Sequence, residues 1–421
     1  MAKGALPGFR DFYPQEFAER AYILRTWRDV ARRFAFVEYD GPPLEPLELY
    51  TKKSGDEIVG QLYNFTDKGG REVALRPEMT PTLARMVAAK ANALRKPVRW
   101  FSVPQLFRHE RQQKGRLREH FQLNVDLVGE PDVTADAELL AVAIEIARTA
   151  GLTQNDVRAR VSDRRLLRAL LATLGVSEDQ TPGVFAVLDK IERQPLEVSR
   201  EKLAGLGLAE GPVERVVGLS GRVSIDGLRS EYGGDAAVAE RLAEMDRYFG
   251  YLAAMGVADW VDLDLKIVRG LAYYTGIVFE LFDAHGEFRA ICGGGRYDTL
   301  LQSLGGVDLP ALGFGMGDVV LGELLRARGL MRAESTAPDY WVAYGEPAQL
   351  AEAMRVAQVL RRGGASVEYA LRAQQLGRQL KAAAAAGAPE AVIVREDHTL
   401  ILKSLASGEE RAVRLTEGRL V

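Results

Sequence analysis

The chain is poor in the residues that staple a protein or hold a metal. Its 421 residues include one cysteine, Cys292, and four histidines. An intrachain disulfide is therefore excluded, and a Cys/His zinc cluster lacks ligands. Long apolar runs are also missing, since no stretch reaches the roughly 18 apolar residues of a membrane span. The opening residues, MAKGALPGFRDFYPQE, lack an apolar core and carry acids early, which argues against a signal peptide and for a soluble, cytoplasmic protein. Charge of one sign is not in excess either: 55 Lys and Arg stand against 58 Asp and Glu, a net −3. That balance gives no global sign of nucleic-acid binding, although a basic cleft can sit on an acidic protein. What is present is length for about two to four domains and 47% hydrophobic residues to fill their cores.

Periodicity organises the rest. Residues 15–34 space Ile23, Trp27, Val30 and Phe34 by four, three and four, with Phe17 and Tyr22 extending the face, which predicts an amphipathic helix. FVEYDGPPLEPLELY reads as a strand broken at Pro42 and Pro43, and residues 61–76 as a hairpin whose Gly69-Gly70 supplies positive φ. Helical patterns follow over 79–93 and 134–151. RWFSVPQLFRHE and FQLNVDLVGE are strand-like and enclose the polar, basic RQQKGRLREH. Residues 155–258 are rich in Leu, Ala and charge with few strand signals, and read as a helical insertion. Strand patterns resume at DLDLKIVRG, YYTGIVFELFD and EFRAICGGG, before a helix near 317–328. From about 336 strands alternate with helices, the grammar of a small α/β domain. The expected architecture is α+β: an antiparallel-sheet domain of residues 1–154 and 259–328, a helical insertion at 155–258, and an α/β domain at 336–421.

Four segments could carry chemistry. FRHERQQKGRLREHFQLNVDLVGE places Arg108, Arg111, Lys114, Arg116 and Arg118 in one hairpin loop, with Arg108 and Glu110 in phase on one strand and Gln122, Asn124 and Asp126 on the other. Guanidinium forks suit phosphate oxygens. The competing reading is a solvated basic loop. In LRPEMTPTLAR, Glu78 and Thr80 either cap a helix or bind an ammonium group at a pocket mouth. In IVRGLAYYTGIVFE, Arg269 and the pair Tyr273-Tyr274 either decorate a plain hairpin or face the same cleft. AICGGGRYD is neither a Walker A loop nor a Rossmann fingerprint, and its glycines permit close approach of a ligand or backbone; Arg296 and Asp298 can pair with each other. Cys292 has no nearby histidine to activate it as a nucleophile.

Together, FRHERQQKGRLREHFQ, LRPEMTP, IVRGLAYYTGIVFE and GGGRYD resemble histidyl-tRNA synthetase, a class II aminoacyl-tRNA synthetase family, over nearly the whole chain. The resemblance implies a class II antiparallel-sheet catalytic domain and a C-terminal anticodon-binding domain. It implies activation of histidine with ATP to histidyl-adenylate, then transfer to tRNA(His). Arg108 and Arg269 would then be catalytic at the α-phosphate. Glu78, Thr80, Gln122 and Asp126 would hold the ammonium group, and Tyr273 and Tyr274 would enclose the imidazole side. Arg108 would also touch histidine, and Arg108, Glu110, Arg116 and Arg269 would bind ATP, with Mg²⁺ as the phosphates' counter-ion. No resident metal, zinc or organic cofactor is implied. GPPLEPLELY resembles the dimer-forming strand, which implies a homodimer. The chain departs from the family at Asp126 (usually Glu), Ala272 (usually Asp), the inverted His120-Phe121, and Val320, where an Arg normally stacks on adenine. These departures fit a divergent branch, and they also raise an alternative: a catalytically inactive, synthetase-like regulatory subunit of ATP phosphoribosyltransferase. A generic phosphate-binding protein explains the basic loop but neither YYTG nor the tail.

Overall fold

The helix expected over residues 15–34 forms at Pro14–Arg33 and buries Tyr22, Ile23, Trp27 and Val30. Phe17 instead stays half exposed, covered on one side by the Arg20 guanidinium 4.6 Å from its ring. The structure is a computed structural model that describes residues 4–51, 60–110, 115–221, 223–269, 273–333 and 335–421. The chain divides into two units, Met1–Ala333 and Glu334–Val421.

In the first unit, β1 (Val37–Glu38) precedes a small antiparallel sheet of β2 (Leu44–Pro46), β3 (Asn64–Thr66) and β4 (Glu72–Leu75). The β3–β4 turn is held by Asp67, whose carboxylate accepts the amides of Gly69 and Arg71. Of the two glycines there, only Gly70 has positive φ, at 78°. The remaining strands are β5 (Val98–Ser102), β6 (Gln105–Phe107), β7 (Glu119–Val128), β8 (Val157–Asp163), β9 (Val261–Leu263), β10 (Ile277–Asp283), β11 (Cys292–Arg296) and β12 (Ala311–Gly317). They order as β1-β5-β7-β12-β11-β10-β8-β9, with β6 paired to β7. The interior pairs are antiparallel, and the two edges, β1 on β5 and β9 on β8, are parallel.

Strand alternation divides this sheet into two unlike faces. Leu123, Val125 and Leu127 of β7, Leu312, Phe314 and Met316 of β12, and Phe279 and Leu281 of β10 join one apolar core. Trp27, Leu140, Ile144, Leu170 and Met245 from the covering helices belong to the same core. Each such side chain contributes about 1.5–3 kcal/mol by leaving water. The opposite face carries Gln122, Asn124 and Asp126 beside Gly317, Gly315 and Gly313 in register.

The insertion starts later than the sequence predicts. Residues 157–163 are β8, paired along their whole length with β10, and only after Asp163 does the chain become helical. Val157, Ala159 and Val161 alternate with Arg158 and Arg160, a two-residue period obscured by the charged residues. β9 likewise ends at Leu263, so most of DLDLKIVRG is not strand.

Arg296 ties the sheet to the helix Val133–Thr149. Its Nε lies 3.1 Å from both carboxylate oxygens of Asp136, and its Nη atoms donate to the carbonyls of Glu130 and Asp132. The expected partner Asp298 is a lesser contact at 3.3 Å. Burial pushes the Asp136 carboxyl up to about 6 even though Arg296 opposes the shift.

The second unit holds β13 (Tyr340–Tyr344), β14 (Val367–Tyr369), β15 (Glu390–Val394), β16 (Leu400–Ser404) and β17 (Glu410–Val413) in the order β14-β13-β15-β16-β17. The first three are mutually parallel and connected through the helices Leu350–Arg362 and Leu376–Ala385, as the alternating pattern predicts. Gln379, fully buried, donates to the carbonyls of Tyr344 and Gln374 and fixes the second helix on β13.

Replacing Arg296 with Met strands Asp136 as a buried charge. The Arg296→Met protein is expected to lose about 3–5 kcal/mol in urea unfolding; a loss under about 1 kcal/mol would show that the pair does not anchor the sheet.

Candidate active site

Arg108 follows β6, and its amide donates to the Arg118 carbonyl across the hairpin at 2.9 Å. Its Nε donates to the Pro77 carbonyl at 2.9 Å, which fixes the hairpin to the segment bearing Glu78. Thr80 then opens the helix Thr80–Lys90. Glu110 is buried and forms ion pairs with Arg116 and, at 3.9 Å, with Arg108. Arg111, Lys114 and Ala272 lie outside the described residues.

Arg269 adopts the left-handed region, with φ of 54°. Such a conformation costs a non-glycine residue about 1–3 kcal/mol. It is held by a 2.6 Å hydrogen bond from Nη1 to Glu280 and by the Tyr274 ring, 5.6 Å from the guanidinium. Burial works against its charge, but Tyr274 and Glu280 outweigh burial and keep the guanidinium protonated. Of the two readings left open by the sequence, an exposed arginine in a plain hairpin and a cation facing the cleft, the structure shows the second. Gly293 makes the position possible, because a Cβ there would overlap the Arg269 guanidinium.

These groups converge. A pocket of about 90 Å³ is lined by Glu78, Thr80, Arg108, Gln122, Asp126, Tyr273 and Tyr274, every residue expected at the amino-acid side, and also by Arg269. Adjoining it is a cleft of about 760 Å³, within the range of small-molecule sites. Arg108, Gln122, Arg269, Gly293 and Gly315 line both spaces. Arg116, Arg193 and Arg289 give the cleft further cations. A recess of about 140 Å³ shares Arg108, Arg116, His120 and Val320 with this cleft and adds Glu110. Burial, then Arg108, Arg10 and Arg116, push the His120 imidazole down to about 3, so this ring is neutral.

Asn124, in phase with Gln122 and Asp126 in the sequence, lines the small pocket with them. Several other contributors escaped the sequence reading. Tyr297 lines the same pocket and lay within a motif already singled out. Gly313 and Gly315 form the floor; a Cβ on Gly315 would come within 2.6 Å of the Gln122 amide. Arg10 gave no local signal: its Nε reaches Glu119 at 2.6 Å and its Nη1 reaches Asp318 at 2.9 Å. Asp318 in turn accepts the Phe121 amide. This bolt fixes β7 to the helix Asp318–Ala327 and thereby places His120 and Val320 on one recess. Among the described residues, no group of three or more His, Cys, Asp or Glu could hold a metal ion. No helix among them is long and apolar enough to cross a membrane.

The mixed sheet and the arginine-bearing hairpin beside paired pockets match the expectation of a class II aminoacyl-tRNA synthetase, and similarity to known proteins assigns the class. The Histidyl-tRNA synthetase family model matches residues 8–317, and an Anticodon binding domain model matches residues 341–418. A protein from Opitutus terrae named Histidine--tRNA ligase is 48% identical over 397 residues, 93% of this chain and 91% of that one. The chain belongs to the histidyl-tRNA synthetase family. The crystal structure of histidyl-tRNA synthetase from Nostoc sp. PCC 7120 shares the fold, with a TM-score of 0.84 at 24% identity, covering 98% of this chain and 97% of that one. A Bacillus halodurans C structure described as an ATP phosphoribosyltransferase regulatory subunit/histidyl-tRNA synthetase aligns with a TM-score of 0.74 at 25% identity, over 90% of this chain and 94% of that one.

Gly293→Ala should displace Arg269 while leaving the amino-acid pocket in place. Pyrophosphate exchange is expected to fall on the order of 10²-fold, with histidine affinity by calorimetry nearly unchanged. Equal losses in both would show that Gly293 serves the whole site and not Arg269.

Proposed function

We propose that the chain is a histidine--tRNA ligase: it joins histidine to ATP as histidyl-adenylate, releases pyrophosphate, and passes the acyl group to tRNA(His). The observation that carries the proposal is the shared wall. Arg108 and Arg269, from separate elements, face both the small carboxylate-bearing pocket and the larger cation-lined cleft.

The reaction brings two anions together, the histidine carboxylate and the α-phosphate. A carboxylate oxygen attacks the α-phosphorus, and the bond to the bridging oxygen of pyrophosphate breaks. Such a displacement needs alignment and charge neutralisation more than covalent help. Arg108 and Arg269 supply both, one on each side of the reacting phosphate. Arg269 reaches the phosphate by exchanging its Glu280 partner for phosphate oxygens. Arg116, paired with Glu110 in the recess, lies along the β- and γ-phosphates, whose counter-ion is the Mg²⁺ that enters with ATP. Glu78, Thr80, Gln122 and Asp126 offer oxygens to the ammonium group, and Tyr273 and Tyr274, ring centroids 5.0 Å apart, enclose the imidazole side. In the second step the terminal ribose hydroxyl of the tRNA attacks the acyl carbonyl and AMP leaves. The second unit, matched by the anticodon-binding model, engages the tRNA. A cytoplasmic homodimer completes the reading.

The rival, an inactive regulatory subunit of ATP phosphoribosyltransferase, is favoured by Val320 in place of an arginine and by the dual description of the Bacillus halodurans C structure. Against it stand the paired arginines and the match of the second unit to an anticodon-binding domain.

Histidine-dependent ATP–pyrophosphate exchange, followed by charging of tRNA(His), tests the proposal. Folded protein that binds histidine without exchange would favour the regulatory reading. Arg269→Ala should lower exchange by about 10²–10³-fold and spare histidine binding. If histidine binding fell as far, Arg269 would be structural.

A further inference from the structure

Asp126 sits in the middle of β7, between Trp100 of β5 and Gly313 of β12. Its carboxylate is buried, and its Oδ1 accepts the hydroxyl of Tyr297 at 2.5 Å. The space for this contact is built into the sheet. A Cβ on Gly313 would overlap Asp126 Oδ1 and stand 3.0 Å from the Tyr297 oxygen. Tyr297 itself is held from three sides. Its amide donates to the Ala311 carbonyl at 2.7 Å, the preceding Arg296 is anchored on Asp136, and its ring meets Tyr273 edge-on at 5.9 Å.

We infer that Tyr297 is the positioning residue of the amino-acid pocket: its hydroxyl occupies one oxygen of Asp126 and leaves the other as the acceptor for a substrate N–H. The inference rests on the histidine-activation reading above. An ionised carboxylate only accepts, whereas a protonated one offers a donor to a substrate group that is itself a donor. The ionisation of Asp126 therefore decides whether the pocket fits. Burial pushes its carboxyl up to about 7, and the Tyr297 hydrogen bond pulls in the opposite direction. Among the described residues, the titratable or charged groups around Asp126 are Tyr39 behind it, Tyr297 beside it, and Glu78, Arg108, Arg269, Tyr273 and Tyr274 across the pocket. Burial drives the phenols of Tyr39, Tyr273 and Tyr297 well above their ordinary range, so they stay neutral through the working pH.

The sign follows. As pH falls through the Asp126 value, the acceptor is lost and histidine binding weakens. Without the Tyr297 hydroxyl the carboxylate loses a stabilising donor, its pKa rises, and the loss begins at higher pH.

The test compares histidine-dependent exchange by the wild-type chain and Tyr297→Phe between about pH 6 and 9. At pH 7 the KM for histidine is expected to rise about tenfold, with the change carried by KM more than kcat. The acid limb of kcat/KM should move up by about one pH unit. Free histidine titrates identically in both assays, so the difference between the profiles belongs to the protein. Asp126→Asn, which cannot titrate, should show a high KM without that acid limb. An unshifted limb in Tyr297→Phe, with or without a raised KM, would overturn the inference, as would an Asp126→Asn profile that keeps the wild-type limb. Calorimetric binding of histidine over the same pH range reads the same shift without turnover. A wild-type chain that binds histidine but shows no exchange would defeat the ligase reading while leaving the binding comparison intact.

Discussion

The site depends on a floor without side chains. Gly293 and Gly315 are register partners on neighbouring strands, as are Gly295 and Gly313, and a Cβ at position 293, 313 or 315 would fall on Arg269, Asp126 or Gln122 respectively. The functional side chains come from strands and loops on either side and need that space to converge. One residue along, the same strands present Phe314 and Met316 to the core. A two-residue period thus places a binding surface and a hydrophobic core on opposite sides of one backbone layer. Glycine weakens a strand, and the cost is offset by antiparallel pairing on both sides of β11 and β12.

Two kinds of arginine surround this floor, and burial separates their roles. Arg296 is almost completely buried and paired with an equally buried Asp136; Arg10 bridges Glu119 and Asp318 between elements more than a hundred residues apart. Such pairs are strongly destabilising to break and hold strands against helices. Arg108 and Arg269 remain partly accessible, and their carboxylate partners Glu110 and Glu280 line the same cavities. Glu280, partly accessible on the cavity wall, can give up Arg269 to an anionic ligand without being stranded in the core.

Local patterns were readable wherever one segment carried its own signal. The first helix, the basic hairpin and the α/β tail follow from periodicity, and the pocket-lining motifs from residues lying together in sequence. What could not be read depends on distant partners. Asp318 is an ordinary helix-start residue until Arg10 reaches it. Tyr297 looks like a core aromatic until the register brings Asp126 beneath it. The left-handed backbone of Arg269 was equally hidden, because its support comes from Glu280 and Tyr274. β8 was hidden for another reason: Arg158 and Arg160 occupy the alternate positions where a buried strand usually shows apolar residues, and they pair with Asp262, Glu192 and Asp264.

The departure at position 320 can be weighed by magnitude. An arginine stacked on adenine contributes a cation–π term of about 0.5–2 kcal/mol, at most some thirtyfold in affinity for ATP. Removing a group that stabilises charge in the transition state costs about 10²–10³-fold in rate. Val320 therefore gives up a binding term smaller than the catalytic term proposed above for Arg108 and Arg269. The recess it lines is bordered by the neutral His120 ring and approached by the Gly115 backbone, where a Cβ would stand 3.2 Å from Val320. Val320 and the His120 ring offer an uncharged surface for dispersion contact, but Arg108, Arg116 and Glu110 line the same recess, and Arg193, Arg269 and Arg289 line the adjoining cleft. The net charge of −3 averages over this local concentration of arginine. A whole-chain balance therefore says little about the field inside the cleft.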